Sequence, residues 1–157
     1  MRNDKKAWLI ISILRYGKRH MEKSSLYHKI NYEIYKVLNA LFVVGLFNTE
    51  LYASNRISDN IVLFHPYGIV VNKDAILADR VVLRQQVTIG NEGFGKNASK
   101  SPVIGKNVDI GAGAKVIGEI TIGEGTRIGA NAVVTKSFPA NSILVGVPAK
   151  NIAKDYS

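Results

Sequence analysis

The chain is 157 residues long, 46% hydrophobic and 21% charged, with no cysteine and a formal charge of +9. That length suits one domain with a short appendage, and the composition excludes a disordered chain. The missing cysteines exclude disulfides, thiolate metal sites and cysteine nucleophiles, while the basic excess leaves nucleic acid, a membrane surface or an anionic small molecule to be weighed as partners.

The first residues, a charged stretch to Lys6 and an apolar one from Ala7 to Leu14, mimic a signal peptide. Ser12 interrupts the apolar part, and Arg15-Tyr16-Gly17-Lys18-Arg19 follows with no small-residue cleavage site, so residues 7–16 read as a helix of the mature protein. A second helix is marked by an apolar face of Leu26, Ile30, Ile34, Val37 or Leu38, and Leu41, with Ser24 or Ser25 as N-cap and Gly45 as stop. The longest nearly apolar run, Val37 to Phe47, has 11 residues, against the roughly 20 that a spanning helix needs. Residues 1–48 therefore read as an α-helical cap. Up to residue 50 it holds nine Lys and Arg against four Asp and Glu, so +5 of the charge lies there.

Beyond it the helical period gives way to a period of six. Aliphatic residues stand at Leu51, Ile57, Leu63 and Ile69, then in a shifted register at Val71, Leu77, Leu83 and Ile89, and again at Ile104, Ile110, Val116, Ile122, Ile128 and Val134. Gly105, Gly111, Gly123 and Gly129 directly follow four of them. No amphipathic helix keeps a six-residue repeat on one face, and a single strand alternates by two. Short strands joined by turns and stacked as a solenoid satisfy the pattern, with three hexads to a coil and the aliphatic side chains inward. Glycine near a corner avoids a clash and permits a positive φ. The repeat breaks over residues 90–103, which read as a protruding functional loop. Its Gly-x-x-Gly-x-Gly spacing loosely resembles a phosphate loop but lacks the following helix.

Five stretches then carry a resemblance: His65-Pro-Tyr-Gly-Ile-Val-Val-Asn, Gln86-Val-Thr-Ile-Gly-Asn, Ile110-Gly-Ala-Gly-Ala-Lys, Ile128-Gly-Ala-Asn-Ala-Val-Val-Thr-Lys and Val145-Gly-Val-Pro-Ala-Lys. In this order and at these separations they resemble the hexapeptide-repeat acyltransferases, most closely the serine acetyltransferases and their polysaccharide O-acetyltransferase relatives. The resemblance implies a mainly β fold for residues 49–157, a left-handed parallel β-helix that departs from the usual right-handed crossover. It also implies homotrimers with acetyl-CoA bound between neighbouring subunits.

Residue by residue, the resemblance makes His65 the catalytic base, since neutral imidazole can take a hydroxyl proton as that oxygen attacks a thioester. Glu50, fifteen residues earlier, matches the acidic partner that orients the histidine. Ala112 and Ala130 match positions where a small side chain lets the pantetheine arm approach the backbone. Gly90 and Asn91 match the start of the loop beside the thioester, with the Gly90 amide as an oxyanion donor. Arg127, Thr135, Lys136 and Lys150 match or adjoin positions that contact the cofactor's phosphates. No metal is expected, because a thioester needs none to react with an alcohol.

The acceptor is read from a departure. Serine-specific relatives resemble one another in an Arg-His-Pro near the end of the loop, whose cations hold the amino acid; here the place reads Lys100-Ser101-Pro102. The helical extension of many serine-specific members is also shortened to about 48 residues. Both points favour a sugar hydroxyl in surface polysaccharide biosynthesis, with serine O-acetylation for cysteine biosynthesis as the alternative, in which Lys100 is the substrate-binding cation that pairs with the carboxylate. A zinc-dependent carbonic anhydrase would need three convergent histidines, and the repeat region has one. A non-catalytic hexapeptide scaffold is the reading of another class. Dispersed cations and no aromatic-basic stripe argue against nucleic acid. The expected location is the cytoplasm, where the basic helical half could touch the inner membrane surface.

Overall fold

The computed structural model describes residues 5–93, 95 and 100–153; part of the 90–103 loop and the first residues of the signal-like segment lie outside the described residues. Helix α1 (Lys5–His20) is longer than the sequence pattern marks, because Ala7, Ile10, Ile11, Ile13 and Leu14 are buried together and Gly17 continues the helix beneath the ring of Tyr35. Its last turn carries Lys18, Arg19 and His20, favourable at the negative end of the helix dipole. Helix α2 (Leu26–Leu38) starts at Ser25, whose hydroxyl accepts from the His28 N–H at 3.4 Å, and runs into a π-helical stretch, Asn39–Leu46. No helix among the described residues is long and apolar enough to cross a membrane.

The strands follow: β1 (Val62–Phe64), β2 (Val70–Val71), β3 (Ile76–Leu77), β4 (Val82–Arg84), β5 (Thr88–Gly90), β6 (Val103–Ile104), β7 (Asp109–Ile110), β8 (Lys115–Ile117), β9 (Thr121–Ile122), β10 (Arg127–Ile128), β11 (Val133–Val134), β12 (Ile143–Val145) and β13 (Lys150–Asn151). They form a left-handed parallel β-helix with three faces. The first face stacks β1-β4-β7-β10-β12 in parallel and ends with β13 antiparallel; the second stacks β2-β5-β8-β11; the third stacks β3-β6-β9. All fourteen aliphatic positions of the sequence repeat are at most 5% exposed. In strand register Leu63 lies on Leu83, Leu83 on Ile110, and Ile89 on Val116, so each row stacks on itself through the solenoid.

The glycines that follow the aliphatics serve close approach rather than positive φ. A Cβ on Gly111 would lie 2.5 Å from the backbone nitrogen of Ala130 in the next coil. Positive φ occurs elsewhere at the corners, at Gly113 and at Asn107, Asn131 and Asn141.

The helical pair docks on the first coil. Lys18 Nζ donates to the Ile57 carbonyl and to Asp59, both at 2.6 Å, and Arg15 donates to the Asp59 carbonyl at 2.7 Å. Buried Asn39 donates to the Leu51 carbonyl at 3.0 Å, and the Tyr35 hydroxyl accepts from the Ala53 N–H at 2.7 Å. Burial pushes the Tyr35 hydroxyl up to about 12, which keeps it protonated. The apolar face read from the sequence is not the packed one: Leu26, Ile30, Ile34, Val37 and Leu41 are 46% to 72% exposed, while Tyr35 and Val43 turn to the core.

Candidate functional site

Coil geometry decides which outward residues can meet. Leu63 and Leu83 are 20 residues apart where three hexads would make 18, and the extra pair falls in the corner from β1 to β2. His65 occupies this corner with φ 48, a left-handed conformation uncommon outside glycine, and its imidazole is exposed. The longer corner is the source of the register shift between Ile69 and Val71, so the sequence carried a signal for it.

Glu50 runs beside this corner. Its residue pairs in parallel with Val70, its N–H donates to the Ile69 carbonyl at 2.7 Å, and the Thr49 hydroxyl donates to the Pro66 carbonyl at 2.9 Å. The Glu50 carboxylate and the His65 imidazole lie in adjoining stretches, but among the described residues they form no ion pair or hydrogen bond. Sequence reasoning missed Tyr67, which leans on Phe47 with ring centroids 5.7 Å apart and receives Lys6 Nζ 4.8 Å above its ring.

Ala112 and Ala130 fall on the edge where His65 sits, between the first and second faces, in later coils. The Asn131 N–H donates to the Ala112 carbonyl at 2.9 Å, and the Gly113 N–H to the Gln85 carbonyl at 2.9 Å, which strings the corners into one edge. Ala112 is half-buried and Ala130 exposed, a strip of small side chains along this edge. Arg127 and Lys150 lie on the first face, which flanks this edge. Arg127 lines a cleft of about 310 Å³ with Arg84, Asp109, Gly129 and Val145, and Lys150 is on β13 opposite Val145. Arg84 grips Asp109 through both terminal guanidinium nitrogens and lies 5.6 Å from the Phe64 ring, an arrangement that no periodic signal announces.

The remaining residues occupy another edge, between the second and third faces. Gly90 ends β5, and Asn91 accepts from Asn72 Nδ2 at 2.8 Å. Lys100 donates to Glu119 at 2.9 Å, which holds the Glu119 carboxyl below its ordinary range and the Lys100 ammonium above its own. Thr135 and Lys136 follow β11 at this edge, with Lys136 Nζ 5.6 Å from the Phe138 ring. One chain thus separates the His65 group from the Gly90, Asn91 and Lys100 group by the width of the second face. Among the described residues no three metal-ligating side chains cluster.

The bacterial transferase hexapeptide (six repeats) family matches residues 101–136. A serine acetyltransferase of Helicobacter pylori (strain J99) is 36% identical over 133 residues, covering 83% of this chain and 75% of its own length. One from Buchnera aphidicola subsp. Schizaphis graminum is 38% identical over 109 residues, covering 69% of this chain and 42% of its own. The solved serine acetyltransferase of Brucella abortus in complex with coenzyme A superposes with a TM-score of 0.78 at 31% identity, over 95% of this chain and 56% of that one. The chain spans about half the length of most relatives it matches.

These matches overturn the sugar acceptor expected from the sequence. The relatives are named serine acetyltransferases, and the Helicobacter protein bears that name although this chain covers three quarters of it, so a shortened helical part does not mark a glycan enzyme. Lys100-Ser101 in place of Arg-His keeps one positive charge at this point of the loop, so the departure does not by itself exclude an acceptor with a carboxylate. With most of its length aligned and its fold shared, the chain belongs to the hexapeptide-repeat acyltransferases, in the branch of the serine acetyltransferases.

Proposed function

We propose that this protein transfers the acetyl group of acetyl-CoA to the hydroxyl of serine, at sites shared between neighbouring chains of a homotrimer. The observation that carries the reading is the placement of His65: exposed in a left-handed corner, on the edge that also carries Ala112 and Ala130. Acetyl-CoA supplies the activated thioester. His65 accepts the hydroxyl proton as the serine oxygen bonds the acetyl carbonyl carbon, and returns it to sulfur as the carbon–sulfur bond breaks. Glu50, in the neighbouring stretch, is the carboxylate partner that orients the imidazole. Arg127 and Lys150 flank the strip as cations for phosphate groups.

Two observations support the trimer. The second face borders both edges, so turning it toward a three-fold axis sets the His65 edge of one chain against the Gly90, Asn91 and Lys100 edge of the next. Leu26, Ile30, Ile34, Val37 and Leu41 form an exposed apolar stripe that association between copies would remove from water.

Thiol release from acetyl-CoA with serine, for wild type and His65→Ala, tests the assignment. Wild type turns over, and His65→Ala loses about 10²- to 10⁴-fold in kcat. No thiol release with serine, or full activity in the variant, would refute it.

A further inference from the structure

If the acceptor is serine, its carboxylate needs a cation with fixed geometry, and the family's Arg-His pair is absent here. Lys100, the residue in its place, is held by Glu119 at 2.9 Å. The edge between the second and third faces carries a cleft of about 660 Å³, lined among others by Arg56, Asn72, Lys73, Asp74, Asn91 and Lys100. Nothing in the sequence singles out Arg56, since it occupies an outward position of the repeat, immediately before the buried Ile57. Its carbonyl accepts from the Leu77 N–H at 3.0 Å, which anchors the backbone, while among the described residues its guanidinium makes no ion pair or hydrogen bond.

Height along the solenoid narrows the cations of this cleft to Arg56 and Lys73, nine residues before and eight after His65 in a coil of 20 residues. Arg56 and His65 belong to the same coil, one before the third-face position Ile57 and the other after the first-face strand β1. Rotation about a three-fold axis parallel to the solenoid preserves height, so Arg56 of one chain comes level with the neighbouring chain's His65, to within about one strand spacing of ~4.8 Å. Lys73, about half a coil after His65, is level with it to the same degree, whereas Lys100 stands more than one coil away, so chemistry decides between Arg56 and Lys73. A guanidinium offers a planar fork that matches both carboxylate oxygens, which an ammonium does not.

Resting on the serine reading above, we infer that Arg56 is a specificity residue: its guanidinium holds the carboxylate of the amino-acid acceptor whose hydroxyl faces His65 of the adjacent chain. The ligand chemistry is an anion, and its two available sources are the acceptor carboxylate and the phosphates of acetyl-CoA, so the test separates them.

The measurement is thiol release by wild type, Arg56→Gln and Arg56→Lys with serine, and with ethanolamine as the acceptor that lacks the carboxylate. Arg56→Gln raises KM for serine about 10- to 100-fold, leaves KM for acetyl-CoA and the rate with ethanolamine within about threefold, and Arg56→Lys recovers part of the loss. An unchanged serine KM in Arg56→Gln, with size and melting as wild type, overturns the inference. So does a rise confined to acetyl-CoA, or the same serine defect in Lys73→Gln and none in Arg56→Gln. Wild-type activity with serine tests the underlying reading separately, because it does not depend on the variant.

Discussion

His65 and Lys100 stand at different edges of the same prism, His65 in the corner from β1 to β2 and Lys100 just before β6. The second face lies between them, so a pocket using both draws them from two chains. That predicts intermolecular complementation. With Arg56, which shares the Lys100 edge, as the second group, co-expressed His65→Ala and Arg56→Gln chains, each weak alone at low serine, assemble mixed oligomers that recover about a quarter of wild-type activity, because one site in four inherits both intact groups. Activity no higher than that of the separate variants would place both groups in one chain's pocket.

The stripe on α2 and the π-helical stretch leads to an assembly prediction. Ile34→Glu puts a charge in the middle of Leu26, Ile30, Val37 and Leu41, all more than half exposed in the single chain. Sedimentation should show the variant shifted toward monomer, with helical circular dichroism retained, since no core contact is removed. An unchanged oligomer, together with loss of binding to anionic vesicles, would assign the face to a lipid surface.

The junction between helices and solenoid predicts a stability effect apart from catalysis. A Cβ on Gly17 would lie 2.5 Å from a Tyr35 ring carbon, and the Tyr35 hydroxyl is the acceptor for the Ala53 N–H. Gly17→Ala overpacks this contact and should cost about 1–3 kcal/mol in denaturant unfolding. Tyr35→Phe leaves the amide without its acceptor and should cost about 1–2 kcal/mol, with activity per folded molecule unchanged.

A pH effect follows at the turn between α1 and α2. His20 Nδ1 lies 2.9 Å from His28 Nδ1, with Tyr16 and Tyr27 against the His20 ring. Burial first, then the charges of His28, Lys23 and Arg19, hold its pKa below the ordinary 6.5. A base whose folded pKa is depressed binds fewer protons folded than unfolded, so stability is full above 6.5 and declines as pH falls below it. Unfolding at about pH 7.5 and 5.5 should show this loss, and it should shrink in His20→Gln, which carries no titrating ring.

Much of this was legible in the residues. The hexad aliphatics from Leu51 to Val134 all proved to be core, and the break after Ile89 and the extra pair of residues at His65 were visible as disturbed spacing. The helical pattern misled about packing: Leu26, Ile30 and Ile34 form the better apolar face, yet Tyr35 fills the core because its ring meets Gly17 and its hydroxyl meets Ala53. The acceptor was misread for another reason, since the loss of one family pair says which cation is missing and not which one replaces it.

The sequence by itself determined the solenoid, because an inward row at every sixth residue is a constraint that only a three-sided coil satisfies. Outward residues obey no such period, and two insertions displace them by amounts that a count along the chain does not translate into direction. Only the stacked structure decided that His65, Ala112 and Ala130 share one edge while Arg56, Asn91 and Lys100 share another, because an edge is made by corners of successive coils coming into hydrogen-bond register.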